Sequence, residues 1–315
     1  MDSVTQIALG SAIAGAIAHK QLGRRSLIIG GVLATLPDLD VFLPTTDAVT
    51  RFTEHRSFSH SLFVLFPFAF VCFYALKHNI KMVFNKEVIS NQRLFWLCCL
   101  PLITHPMLDA FTSYGTQLFW PLAGHPIAIA SIFAVDPSYT LPLLIGCVCL
   151  WCQGHNEKMR KARRINHIGL ILSTGYLFLG LLLQMQVQNK VAIALQVKHV
   201  NGDRMFISPL YPSLNWWGVI VVDKDVYYYV KVNVLTNDLS FSVKQNLSYG
   251  GIDVYPSALN SLNWFTDGFI RLEEVEGKLV ATDLRMKTGD LDYAFKFVLA
   301  EKKGEGWTVI PPLRL

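Results

Sequence analysis

The 315-residue sequence predicts an α-helical membrane bundle of about six apolar helices, followed by a small extracytoplasmic β-rich domain. Three observations carry this. Hydrophobic residues make up 52% of the chain and charged residues only 16%, against about 25% charged in an ordinary soluble domain. That balance excludes disorder, which needs low hydrophobicity and high charge. The long apolar segments all lie before residue 187. The formal net charge of +5 lies there too, with 14 Lys/Arg against 9 Asp/Glu up to residue 187 and 14 of each after it. Basic residues placed among apolar segments set membrane orientation, so the charge does not point to nucleic acid.

The apolar segments are residues 4–18, 26–43, 59–76, 94–111, 139–153 and 168–187. Crossing a bilayer takes about 20 apolar residues, with about 17 as a lower limit. The third and sixth segments meet it. The second and fourth are near it with acids inside, and the first and fifth are short. The first is rich in Gly and Ala, from Gly10 to Ala18, which suits close helix packing. Its acidic start, Met1-Asp2-Ser3, is unlike the basic beginning of a signal peptide. The loops 19–25, 77–93 and 153–167 fall on one side of a six-span chain and together carry 12 basic and 2 acidic residues. The positive-inside rule makes that side cytoplasmic. The N-terminus and the region after 187 are then extracytoplasmic, in a multi-pass protein of a bacterial inner membrane in contact with its lipids. The six cysteines, Cys72, Cys98, Cys99, Cys147, Cys149 and Cys152, sit in or beside apolar runs and read as small hydrophobes rather than a disulfide or zinc-thiolate framework.

Residues 188–315 read as a second, soluble unit. Val219–Val222, Val226–Val232 and Tyr293–Val298 are β-branched or aromatic runs. The pairs Asn201-Gly202, Asn237-Asp238, Gly250-Gly251 and Glu276-Gly277 supply turns. Trp216, Trp217, Trp264 and Tyr211 form either its core or an interfacial belt.

Polar residues inside membrane segments are costly and mark functional sites. Four clusters converge on the extracytoplasmic leaflet: Met1–Gln6, Leu36–Asp40, His55–Ser61 and Thr104–Asp109. His105 and Asp109 stand one helical turn apart on one face. Imidazole with carboxylate suits zinc or another divalent first-row ion. Asp2, Asp40, His60, His105 and Asp109 are the candidate ligands, and His55 or Asp38 the candidate general base. These seven exceed the needs of one zinc. Either two metals are bound, or several carboxylates orient imidazoles from outside the coordination sphere. Arg56 is either a clamp for an anionic group or an interfacial anchor. Ser113 and Gln117 either line the cavity or bond within the bundle. No Gly-rich phosphate loop and no Gly-x-Ser-x-Gly motif is present.

The runs Met1-Asp2-Ser3-Val4-Thr5-Gln6, Pro37-Asp38-Leu39-Asp40, His55–Ser61 and His105–Gln117, with Phe119-Trp120-Pro121 and Val135–Thr140, closely resemble the YdjM-like family. These are bacterial inner-membrane proteins described as membrane-bound, metal-dependent hydrolases, and the resemblance covers about residues 1–187. Many members carry His where this chain has Gln6, which leaves Asp2 as the candidate ligand of the opening motif. The resemblance implies a membrane-embedded hydrolase. A site at the outer leaflet suggests a lipid-linked or phosphoester substrate. The competing reading is a non-enzymatic, metal-stabilised membrane scaffold whose β domain binds an envelope partner. A transporter is disfavoured, because no broken-helix repeat is visible.

Overall fold

The computed structural model describes residues 1–84, 89–153, 158–202, 204–210, 214–236, 238–246, 256–287, 293–304 and 306–315. The N-terminal part is helical: α1 (Ser3–Leu22), α2 (Arg24–Thr35), a 3-10 turn (Pro37–Phe42), α3 (Ala48–Glu54), a second 3-10 turn (Phe58–His60), α4 (Leu62–Phe84), α5 (Asn91–Ala110), α6 (Pro137–Cys152) and α7 (Lys158–Val197). Within α4 and α7, Leu62–Ile80 and Met159–Val197 are long and apolar enough to cross a membrane, and only 17% of either apolar window is buried against protein. Their outward faces carry Phe63, Phe66, Phe70 and Tyr74 on α4, and Ile171, Leu172, Phe178, Leu182 and Met185 on α7. A helix that is apolar and uncovered on this scale needs a hydrocarbon surround. The other segments are less complete as spans. α2 has 12 residues, about 18 Å at 1.5 Å per residue, and the acidic half of its predicted segment turns off into the 3-10 turn.

Three helical hairpins make the bundle. Gly23 joins α1 to α2 at φ 58°, a left-handed conformation that glycine adopts without the Cβ penalty. Gly10 and Gly30 then face each other. A Cβ on either would collide with the other's carbonyl oxygen and with Ala34 or Ala14, so the two backbones touch, as the small residues of the first segment predict. α6 and α7 pair antiparallel, with Gly146 against Asn166, Pro142 against Gly169 and the Ser173 hydroxyl donating to the Tyr139 carbonyl at 2.7 Å. α4 meets α5 through Phe70 and Phe95, ring centroids 4.8 Å apart. At one end of the bundle the basic loops gather: Arg24 donates to the Trp151 carbonyl at 2.6 Å, and Ile89 packs with Ala18 and Leu22. At the other end lie Met1, the two 3-10 turns and the C-terminal end of α5.

The C-terminal region holds two antiparallel four-stranded meanders. One is β1 (Arg204–Pro209), β2 (Trp216–Asp223), β3 (Val226–Asn233) and β4 (Leu239–Asn246). After α8 (Ser257–Phe265) comes the other: β5 (Ile270–Val275), β6 (Lys278–Asp283), β7 (Lys296–Lys303) and β8 (Gly306–Arg314). Glu276 and Gly277, at φ 51° and 71°, close β5 onto β6 as a two-residue hairpin of the type such a pair favours. Trp217 is core, its indole donating to the Leu214 carbonyl at 2.7 Å. Trp216 and Trp264 stay partly exposed. Tyr211, Asn237 and the Gly250-Gly251 turn lie outside the described residues.

Two junctions tie the parts together. The predicted boundary at 187 falls inside α7, because Val187, Val191 and Leu195 continue a helical stripe and pack it on Trp217, Val219 and Val230 of the first sheet. α3, from the N-terminal part, inserts into the second unit: Phe52 contacts the rings of Phe265, Phe295 and Phe297 at 4.6–5.2 Å. Phe52→Ala should therefore destabilise the C-terminal unit by about 3–5 kcal/mol. Limited proteolysis of the full chain should show faster cleavage after residue 256 than in the wild type. An unchanged pattern would mean the junction is not cooperative with the sheet.

Candidate metal centre

His105 and Asp109 sit one turn apart near the end of α5, and both side chains are 0% exposed. His60 ends the 3-10 turn Phe58–His60 just before α4 and is equally buried. Asp38 lies in the 3-10 turn after α2, its side chain 23% exposed. The four come from three separate stretches of chain. Their donor atoms all lie within 4.8 Å of one another. His60 Nε2 is 3.2 Å from His105 Nε2, 3.4 Å from Asp38 Oδ1 and 3.3 Å from Asp109 Oδ2. His105 Nε2 is 3.4 Å from Asp38 Oδ1 and 3.5 Å from Asp109 Oδ2. Corners of a tetrahedron centred about 2.0–2.1 Å from each ligand atom, the zinc–nitrogen and zinc–oxygen distances, are separated by about 3.3 Å.

The hydrogen bonds around the histidines fix where their protons are. His105 Nδ1 faces the Ala34 carbonyl at 2.5 Å, and a carbonyl only accepts, so Nδ1 carries the hydrogen. The Ser59 hydroxyl donates to Asp40 Oδ2 at 2.7 Å. It must then accept from His60 Nδ1, 2.9 Å away. With both rings neutral, the two Nε2 atoms present lone pairs to each other and to two carboxylate oxygens. In that state four electron-pair donors repel unless positive charge stands among them, as a metal ion or as a proton on an Nε2. Asp109 Oδ2 is buried and accepts no well-aligned hydrogen bond, with the Arg56 Nε 3.1 Å away on one side and the two imidazoles on the other. The donor set, two imidazoles and two carboxylates, fits a divalent first-row ion, and the Nδ1 partners are the outer contacts that orient metal-bound histidines.

Around this group stands a second layer. Asp109 Oδ1 receives the Met1 amino group and Gln6 Nε2, the latter at 3.0 Å. The Arg56 guanidinium lies 3.1 Å from Asp109 Oδ2 and 5.0 Å from the Tyr114 ring centroid. Arg56 holds φ 65°, uncommon for a residue with a Cβ. Its N–H donates to Asp40 Oδ2 at 3.0 Å and its carbonyl accepts from Gln117 N at 2.9 Å. Asp40 thus holds the 55–60 loop by three bonds, the third from His55 Nδ1 at 2.9 Å. Burial alone would raise its carboxyl pKa. The His55, Ser59 and Arg56 donors outweigh that and hold it below the ordinary carboxylate range.

Of the residues expected as ligands, His60, His105 and Asp109 come together. Asp40 stands one step out, 3.7 Å from His60 Nδ1. Asp2 caps α1, accepting from Thr5 N at 3.0 Å. Asp38, expected as a base, joins the donor group. His55 keeps its side chain 21% exposed and lines a cleft of about 1090 Å³ between the 3-10 turns, α3 and the C-terminal unit. Gln117 also lines this cleft, and its amide donates to the Thr53 carbonyl at 2.9 Å. The contributions of Ala34, through its carbonyl, and Met1, through its amino group, are backbone groups that side-chain motifs do not signal.

The family model described as YdjM inner membrane protein matches residues 1–187, and the chain belongs to this family. Among curated proteins, the uncharacterized protein YfhP of Bacillus subtilis (strain 168) is 24% identical over 236 residues, 72% of this chain and 67% of the relative. No solved structure matches.

Alanine at His60, His105 or Asp109 should each strip the ion from detergent-purified protein, measured by elemental analysis, while Asp2→Ala leaves it in place. Retention in all three would remove the site.

Proposed function

We propose that this member of the YdjM inner-membrane family is a membrane-embedded, metal-dependent hydrolase with its site at the extracytoplasmic leaflet. The observation that carries the reading is the pairing of a two-imidazole, two-carboxylate donor group with a neighbouring cleft, which none of the four donors lines but which His55 does, its ring 5.9 Å from that of His60. Asp40 accepts from His55 Nδ1, so Nε2 holds the lone pair, and among the described residues it has no partner. His55 is then the general base, and Asp40 the residue that sets its tautomer and direction. A divalent ion, zinc by ligand type, would supply Lewis acidity and an acidified water. Arg56 offsets charge on Asp109 and closes the buried side. The three fully buried ligands form a permanent set, and the partly exposed Asp38 is the side on which a substrate group enters.

The topology follows the same logic. Taken as six spans, α1, α2 and α4–α7 put every site residue at the end away from the three basic loops, and on that reading the positive-inside rule sets the N-terminus, the site and the C-terminal unit outside the cytoplasm. A C-terminal alkaline phosphatase fusion should be active and a cytoplasmic fluorescent reporter dark. The reverse pattern would place the site on the inner face.

One observation favours the scaffold reading instead. Four protein donors complete a tetrahedron, as in structural zinc sites, whereas catalytic sites keep one position open. Two variants separate the readings. In a hydrolase, His55→Ala retains the metal and loses about 10²–10⁴-fold in turnover of chromogenic phosphoesters and carboxyl esters, and Asp38→Asn also retains metal on the remaining three ligands. In a scaffold, Asp38→Asn releases the ion and lowers the melting temperature, and no ester is turned over by the wild type.

A further inference from the structure

The cleft beside His55 is built from both halves of the chain. Val41, Leu43, Phe58 and Trp120 from the helical part face Phe295 and the β8 end, Pro311–Arg314, from the second sheet. Its two guanidiniums come one from each half. Arg51 donates only to the Thr45 hydroxyl at 3.3 Å, and Arg314 to the Ala294 carbonyl at 3.2 Å while stacking 4.4 Å over the Phe295 ring. Neither has a carboxylate partner among the described residues. Two of the lining carboxylates are already engaged: Asp40 by His55, Ser59 and the Arg56 N–H, and Asp47 by the N–H groups of Val49 and Thr50. With Glu54 these make three carboxylates in the lining, none of them within ion-pair distance of either guanidinium among the described residues, so both cations remain open to an outside anion. The apolar part of the lining is also unusual. Val41, Leu43, Phe58 and Trp120 are exposed, as are the adjoining Phe42 and Leu122, and all lie in loops just beyond the helix ends, where aromatic and aliphatic groups sit at a bilayer interface.

We propose that the cleft binds a phospholipid, with its phosphate held between Arg51 and Arg314 and its acyl chains leaving over Val41, Leu43, Phe58 and Trp120 into the membrane. Guanidinium pairs suit phosphate oxygens, and the polar head then reaches His55 while the tail remains in hydrocarbon. The C-terminal unit acquires a defined role, since it supplies one cation and one wall of the substrate site. This rests on the hydrolase reading for what happens to the lipid, but not for its binding.

The test uses the full chain in amphipol, free of phospholipid and stripped of metal with chelator, so that binding is measured without turnover. Calorimetric titration is run with dihexanoylphosphatidic acid, with glycerol 3-phosphate as the head alone and with dihexanoylglycerol as the tail alone. The short-chain lipid should bind about tenfold or more tightly than either fragment, and R51A/R314A should weaken it by about tenfold or more. R51K/R314K, which keeps charge but not the planar fork, should fall between. Equal binding of glycerol 3-phosphate would make this a free-phosphate site, and equal binding of dihexanoylglycerol an apolar groove. An R51A/R314A protein that keeps its circular dichroism and binds the lipid as well as the wild type would also overturn the proposal. Failure of the metal reading shows separately, as absence of metal from the as-purified protein before chelation, while the lipid still binds.

Discussion

One buried carboxylate organises the end of the bundle that carries the site. Asp109 is fully enclosed, on a helix with no Lys or Arg between Leu94 and Ala110. A fully buried carboxylate is costly unless charged or hydrogen-bonding partners meet it. Every neighbouring element supplies one. α1 brings the Met1 amino group and Gln6, the 55–60 loop brings Arg56, and α5 itself brings His105. Oδ2 alone accepts no hydrogen bond, and it faces the two imidazoles. Arg56 meets it from one side at 3.1 Å, and a metal ion on the imidazole side would take its remaining lone pair.

The rest of the fold reads as the means of holding these groups still. The α1–α2 hairpin closes until two glycine backbones touch, which places the Ala34 carbonyl over His105 Nδ1. Within the 55–60 loop only the short 3-10 turn Phe58–His60 is regular, and it does not by itself fix His60 against α5. Asp40 does so through three hydrogen bonds, at the expense of a left-handed backbone at Arg56. Strain retained next to a reactive group is common where geometry matters more than stability. α3 then links this loop to the second sheet through Phe52, so the cleft wall and the donor group are mechanically connected.

Much of this was legible in the sequence. Helical segments appear where the apolar runs lie, the β-rich region where the β-branched runs and the Glu276-Gly277 turn placed it, and three of the four donors were singled out as ligands by residue type and shared leaflet. What was not legible has physical causes. Pro37-Asp38-Leu39-Asp40 offers two carboxylates of equal chemistry, and only the direction of the 3-10 turn decides that Asp38 faces the imidazoles while Asp40 faces the loop. Asp2 reads as a ligand, but its position before α1 makes it an N-cap. α3 looks like part of a polar loop, because Val49 and Phe52 find their apolar partners far along the chain, between Leu259 and Trp307. The continuation of α7 past 187 is hidden by Gln186, Gln188 and Lys190, polar residues that face away from the packed stripe of Val187, Val191 and Leu195.

The central claim is that two imidazole nitrogens and two carboxylate oxygens hold one divalent ion. X-ray absorption spectroscopy on the purified, zinc-loaded full chain tests it directly. The account predicts a first shell of about four nitrogen and oxygen scatterers at about 2.0–2.1 Å, with no sulfur near about 2.3 Å. The outer-shell pattern should be that of two histidines. A sulfur-containing shell, or an oxygen-only shell without imidazole scattering, would contradict it.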